Sequence, residues 1–352
     1  MASTWLDPEE LRPRIPPEAR DLGIGLVGCG GIARSAHLPA YRKYGLRVVG
    51  VYDIRPEAAA AAAEAFGVRT YPTLEALLAD PQVAVVDVAT HPRERVGIVR
   101  QALQAGKHVF SQKPFAPTLE EARELTEEAA RRGLRLAVNQ NGRWAPPWRG
   151  AALLVERGAV GEVLHVTHLW EVRFGWITGT PFDQLTHFAI YDYGVHWIDI
   201  TRCFWGRAAV RTVRARDWRL PIQPPESKTP WGAWIALEGP GAAEAVIRGT
   251  GGAATHGAHP FWIHGTEGTV RGAVLGDDHL ELERGGVRIR FDLPVGWVPD
   301  AFAGSMGELL AAVVTGREPH HAARDNLHTL AATLAACASA EADGAPVVPA
   351  AT

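Results

Sequence analysis

Through the first 140 positions, apolar residues fall in short runs separated by longer stretches of mixed polarity. Ile24 to Val27, Leu46 to Tyr52, Ala84 to Ala89 and Arg135 to Val138 read as strands buried on both faces, since a strand covered by helices on either side has no polar face to show. The stretch Gly106 to Pro114 holds another strand, which carries Lys113 to its carboxyl end. Helical segments alternate with these runs: one ending near Tyr44, then Pro56 to Phe66, Thr73 to Leu78, Arg93 to Ala105 and Leu119 to Arg132. Strand and helix in alternation predict an α/β fold built on a doubly wound parallel sheet.

The pattern changes after Asn139, with Arg143-Trp144-Ala145-Pro146-Pro147 as the boundary. Ala151 to Glu156 reads as a helix, Val163 to Phe174 alternates like a half-exposed strand, and Gly175 to Thr186 is a polar and aromatic loop. Ala189 to Asp199 reads as a helix on which Asp192 and His196, four apart, share a face, with Asp199 one turn further. Seven short strands between Val210 and Phe291 predict a large, mainly antiparallel open sheet, and two helices, Phe302 to Val314 and Arg324 to Ala340, close the chain. The expected organisation is an extended arm over residues 1–21, a first domain over 22–140, and a second α/β domain over 141–352 whose last helices pack back on the first.

Composition narrows the function classes. A chain of 352 residues exceeds the size at which one core stops growing, which favours two domains. A net charge of −3 without a basic cluster argues against nucleic acid or an anionic membrane as partner. No run of apolar residues is long enough to span a bilayer, and the proline- and charge-rich start lacks the apolar centre of a signal peptide, so a soluble, cytoplasmic protein is expected. Cys29, Cys203 and Cys337 are scattered and lack metal-ligand spacing. His256, His259 and His264 lack a companion carboxylate or cysteine set, so no metal site is expected.

The chemistry gathers at the ends of the predicted parallel strands. Gly28-Cys29-Gly30-Gly31-Ile32-Ala33 follows the first strand and opens a helix, the order required of a dinucleotide-binding turn. Gly28 suits the tight turn, Gly30 lets backbone approach a pyrophosphate, and Ala33 lets the helix pack close to the strand; Gly31 and Ile32 complete the expected cradle. Asp53 ends the second strand where a carboxylate would bind an adenosine ribose and repel a 2′-phosphate, which favours NAD over NADP; a plain helix cap is the alternative. Arg55 could stack on adenine or tolerate that phosphate. Lys113 stands at the edge where ligands of open parallel sheets bind.

Taken together, the glycine turn, Asp53, Ala105-Gly106-Lys107-His108-Val109, Gln112-Lys113-Pro114, Asp192-x-Gly194-x-His196-x-x-Asp199 and Gly265-Thr266-Glu267-Gly268-Thr269 resemble the Gfo/Idh/MocA oxidoreductases, the family of glucose-fructose oxidoreductase and inositol dehydrogenase. The resemblance implies a Rossmann domain followed by an α/β domain with a large open sheet often used in oligomer contacts, hence a homodimer or homotetramer. It implies Lys113, Asp192 and His196 as the catalytic group, with cofactor contacts at Thr90, His91 and Gln112 besides those already named. An imidazole titrating near neutrality can exchange a hydroxyl proton, and an ammonium can stabilise a developing alkoxide. Asp192 could orient the imidazole, hold the substrate or pair with Lys113. Asp199 reads as structural.

Three departures stand out. Gln112 replaces the usual Glu before Lys-Pro, His91 separates Thr90 from Pro92, and Arg95 or Val96 stands where the family has a His. His187 precedes the Asp192 helix where glycines are usual and is expected in the substrate pocket, with Arg143 as a further substrate or cofactor contact. Trp144, Trp176 and Trp197 are aromatic candidates for a sugar face. The resulting expectation is an NAD(H)-dependent oxidoreductase acting on a secondary hydroxyl of a sugar, polyol or sugar derivative. The alternatives are a tightly held NAD recycled without net redox change, or a non-catalytic NAD(H) sensor.

Overall fold

A computed structural model describes residues 5–255, 257 and 259–352 of the chain. In chain order the elements are β1 (Ile24–Val27), α1 (Leu38–Tyr44), β2 (Val48–Tyr52), α2 (Pro56–Phe66), β3 (Arg69–Thr70), α3 (Leu74–Ala79), β4 (Val85–Val88), α4 (Pro92–Gln104), β5 (His108–Ser111), α5 (Leu119–Arg131) and β6 (Leu136–Val138). Then follow α6 (Pro146–Glu156), β7 (Val163–Glu171), α7 (Val195–Phe204), β8 (Thr212–Trp218), β9 (Gly232–Glu238), β10 (Glu244–Thr250), β11 (His259–Gly265), β12 (Gly268–Val274), β13 (His279–Arg284), β14 (Val287–Arg290), α8 (Phe302–Thr315) and α9 (Ala323–Glu341). The described residues divide into two compact units, one of residues 12–144 and 296–327, the other of residues 5–11, 145–255, 257, 259–295 and 328–352.

The first unit carries a six-stranded, wholly parallel sheet in the order β3-β2-β1-β4-β5-β6. Its central strands are buried on both faces, as their unbroken apolar runs require. Local signals set the helix starts: Thr73 caps α3 by accepting the Ala76 amide at 3.1 Å, and Thr118 caps α5 by accepting the Glu121 amide at 3.2 Å while its hydroxyl donates to the Glu121 carboxylate at 2.8 Å. One face packs on α1 and α8, with Leu26, Val85, Phe110, Tyr41, Met306 and Leu310 almost completely buried. Because β1, β2, β4 and β5 are parallel, their carboxyl ends share one edge, so Gly28, Asp53, Thr90 and Gln112 all follow strands along it.

The second unit is built on an eight-stranded sheet in the order β14-β13-β12-β11-β7-β10-β9-β8. Six of its seven pairings are antiparallel; β7 and β10 run parallel in an unbroken register from His165↔Glu244 to Glu171↔Thr250. Burial alternates along β9 and β10, so one face lies on a core containing Trp148, Trp170, Trp197, Phe204 and Phe261 while the other stays partly open. Residues 5–11 belong to this unit: Arg149 donates to the Glu10 carbonyl at 2.8 Å and Arg157 to the Trp5 carbonyl at 2.6 Å.

Candidate functional site

At the first turn, Gly28 has φ +96, a conformation disfavoured for residues with a side chain. A Cβ there would also lie 2.9 Å from Thr90 Cγ2 and 3.0 Å from the Ala89 carbonyl oxygen. At Gly30 and Gly31 a Cβ would meet nothing within 4 Å, so the turn presents bare backbone over open space, flanked by the exposed Ile32. A helical stretch opens at Gly31, widens into a π turn over Ala33–His37 and continues as α1. Open backbone ahead of a helix N-terminus fits a pyrophosphate.

Asp53 ends β2 with its side chain 8% exposed, and its two oxygens accept amides on either side. Cys29 N–H donates to Oδ2 at 2.7 Å and Arg55 N–H to Oδ1 at 2.9 Å, so the carboxylate also braces the glycine turn. Arg55 occupies the cap position of α2, and its Nε lies 3.6 Å from Oδ1. Burial, followed by the Asp53 charge, pushes the Cys29 thiol up to about 12, which keeps it unreactive at neutral pH.

Thr90 and His91 leave β4, with His91 at the cap position of α4. Gln112 continues the register of β5, its amide donating to the Val88 carbonyl at 3.0 Å, and its Oε1 accepts the Lys113 amide at 3.0 Å. Lys113 itself is half-buried two residues past the strand. The buried Arg143 is engaged inside its own unit: it donates to the His320 carbonyl at 2.7 Å and to Asp325 at 2.6 Å, bracing the turn Asn141–Trp144.

Two groups in this unit carry polar chemistry that the sequence reading left unassigned. The fully buried Asp87, in the middle of β4, accepts Tyr41 O–H at 2.6 Å and contacts His37 Nδ1 at 2.7 Å. A carboxylate inside an apolar run, with His37 and Tyr41 four apart on one helix, was the available signal. The other is Arg95, whose guanidinium donates to the carbonyls of Thr90 and Pro114.

In the second unit, the expected single helix over Ala189–Asp199 is corrected: a π turn, Ala189–Gly194, runs into α7. Gly194 stands five residues after Ala189, and a Cβ there would come 3.1 Å from the Ala189 carbonyl oxygen, so the missing side chain leaves room for the widened turn. Asp192 is buried in this turn and His196 is half-buried in the first turn of α7. Asp199 Oδ1 accepts Thr329 O–H at 2.7 Å, and Thr329 Oγ1 accepts from Arg202 at 2.7 Å, a buried chain that ties α7 to α9.

His187 has carboxylates at both ring nitrogens, Asp217 at 2.8 Å and Glu341 at 3.4 Å. The Asp217 hydrogen bond outweighs burial and raises its pKa above the usual imidazole value. Trp197 is buried against Tyr193 and Trp148, and Trp144 lies edge-on to His321, whereas Trp176 is 55% exposed beside Phe182 and Phe188. His259 Nε2 is 3.2 Å from Tyr193 Oη, His264 Nδ1 is 3.3 Å from Thr269 Oγ1, and His256 lies outside the described residues. Among the described residues no group of three His, Cys, Asp or Glu side chains could hold a metal ion, and no helix is long and apolar enough to cross a membrane.

Residues 22–140 match the sequence model of an oxidoreductase family with an NAD-binding Rossmann fold, and residues 148–271 match that of the Gfo/Idh/MocA C-terminal domain. A D-apiose dehydrogenase of Paraburkholderia graminis is 30% identical over 336 residues, covering 87% of this chain and 84% of its own. The chain belongs to the Gfo/Idh/MocA oxidoreductase family. Its parallel sheet is the family's NAD-binding Rossmann domain, and its eight-stranded sheet forms the α/β domain that follows. A levoglucosan dehydrogenase of Pseudarthrobacter phenanthrenivorans is 28% identical, covering 71% of this chain and 73% of its own. The solved structure of an oxidoreductase from Agrobacterium radiobacter in complex with NAD+, L-tartaric acid and magnesium matches with a TM-score of 0.84 at 26% identity, over 93% of this chain and 98% of that one.

Proposed function

We propose that this family member is an NAD(H)-dependent dehydrogenase or reductase acting on a secondary hydroxyl, or the corresponding ketone, of a sugar, polyol or sugar derivative. The observation that carries the reading is Lys113, which follows β5 on the same sheet edge as the open glycine turn. Sugar as the substrate class is supported by the D-apiose and levoglucosan dehydrogenases among the relatives.

The residues present fit the dinucleotide: Gly30, Gly31 and Ile32 would hold its pyrophosphate, Asp53 and Arg55 its adenosine end, and Thr90, His91 and Gln112 the loops beside it. When bound, it supplies the hydride acceptor for oxidation and the donor for reduction. His196 takes the hydroxyl proton as the alcohol is oxidised and returns it in reduction. Lys113 holds the substrate oxygen and stabilises the negative charge that grows on it. Asp192, one turn before His196, would orient the imidazole, hold the substrate or pair with Lys113. Asp53 favours NAD, because a 2′-phosphate would be brought against a carboxylate with only 8% of its side chain exposed.

The reading is tested by incubating the purified protein with NAD or NADP and a panel of sugars and polyols while following reduced cofactor and product. Steady formation of NADH with at least one sugar is expected. Product without net NADH would replace it with recycling of a retained cofactor, and NAD binding without turnover on any substrate would replace it with a sensor.

A further inference from the structure

Arg95 is an arginine with 1% of its surface exposed, placed on α4 where the resemblance leads one to expect histidine at this position or the next. Burying a guanidinium costs several kcal/mol in desolvation, and an apolar side chain could fill the same space, so its presence calls for a geometric reason. The two carbonyls it holds supply one. Nη2 donates to Thr90, in the loop that leaves β4, and Nη1 donates to Pro114, immediately after Lys113 in the loop that leaves β5. The donors of a guanidinium form a rigid planar fork, so two carbonyls bound to one such group are held at a set separation. A lysine ammonium concentrates its donors at one flexible point, and an imidazole offers one on each side of a small ring.

We propose that Arg95 is the positioning residue for Lys113. By cross-linking the loops at the carboxyl ends of β4 and β5, it fixes the backbone from which Lys113 reaches the substrate oxygen. The inference rests on the proposed role of Lys113 in polarising that oxygen.

The test is a double-mutant cycle. Arg95→Lys and Arg95→Met are each made in the native chain and in a Lys113→Ala background, and kcat, the sugar KM and calorimetric NAD affinity are measured per folded active site. In the native chain each Arg95 variant is expected to lower kcat about tenfold to a hundredfold while leaving KM and NAD affinity within about threefold, with Lys no better than Met. In the Lys113→Ala background the residual kcat should fall no further, because the group that Arg95 positions is gone. A purely stabilising role predicts less folded protein and a lower unfolding temperature, with kcat per active site unchanged. That result, an equal loss in both backgrounds, or full activity of Arg95→Lys would each overturn the proposal. Full activity of Lys113→Ala alone would instead remove the role of Lys113 on which the inference stands, so the two failures are distinguishable.

Discussion

The carboxylate of Asp53 accepts the amide hydrogen of Cys29 at 2.7 Å, so the residue that ends β2 also holds the glycine turn that ends β1. One side chain therefore links the proposed ribose contact to the shape of the glycine turn. Asp53→Ala should weaken NAD binding about tenfold to a hundredfold, the worth of a hydrogen bond to a charged group plus a loosened turn, and should narrow the preference over NADP. Calorimetric titration of both dinucleotides checks this; unchanged NAD affinity would remove Asp53 from the cofactor site.

Lys113→Ala and His196→Ala should each lower kcat about 10²-fold or more, as their proposed roles of polarising cation and proton acceptor require. NAD affinity should stay close to that of the native protein, because neither residue belongs to the glycine turn or the ribose site. Steady-state rates paired with NAD titration separate the two effects.

The Asp87 group gives a prediction about stability. Asp87→Ala leaves Tyr41 Oη and His37 Nδ1 without their common partner in a fully buried layer and should destabilise the protein by about 2–4 kcal/mol, the usual cost of leaving buried polar groups unpaired. Asp87→Asn, which keeps an acceptor, should cost less. Denaturant unfolding of the two variants reads the difference.

His187 predicts a pH dependence. Its folded pKa is raised, chiefly by the Asp217 hydrogen bond, so the folded state holds the proton more tightly than the unfolded chain. The resulting stabilisation is fully present below the unfolded value near 6.5 and is lost as pH rises through the higher folded value. His187→Gln should flatten that part of the stability curve, measured as unfolding free energy against pH.

The apolar runs of β1, β2, β4, β5 and β6 made the parallel sheet legible, and the glycine turn with Asp53 marked the edge where the cofactor is proposed to lie. β3 escaped because Arg69 and Thr70 are both exposed and form no apolar run. The widened turn at Ala189–Gly194 escaped because apolar spacing on a helix reports the α period, while a π turn depends on a single close approach at Gly194. The parallel pairing of β7 with β10 escaped because alternation shows which face of a strand is buried, not the direction in which its neighbour runs. The partner of Arg143, Asp325, lies 182 positions away, and the carboxylate partners of His187 are equally remote in sequence, so no local pattern announces either ion pair.

The place of β7 also bears on how the eight-stranded sheet forms. The strands β8 to β10 make one meander, whose first connection spans residues 219–231, and β11 to β14 make another joined by tight turns. β7 is the seam between them, and its parallel partners His165 and Glu244 lie 79 residues apart in sequence. Each meander can form by local zipping, but uniting them requires closing a long loop onto a strand synthesised before either. Assembly of this domain is thus set by the arrival of its central strand, and until then two pairs of sheet edges lie open to mispairing.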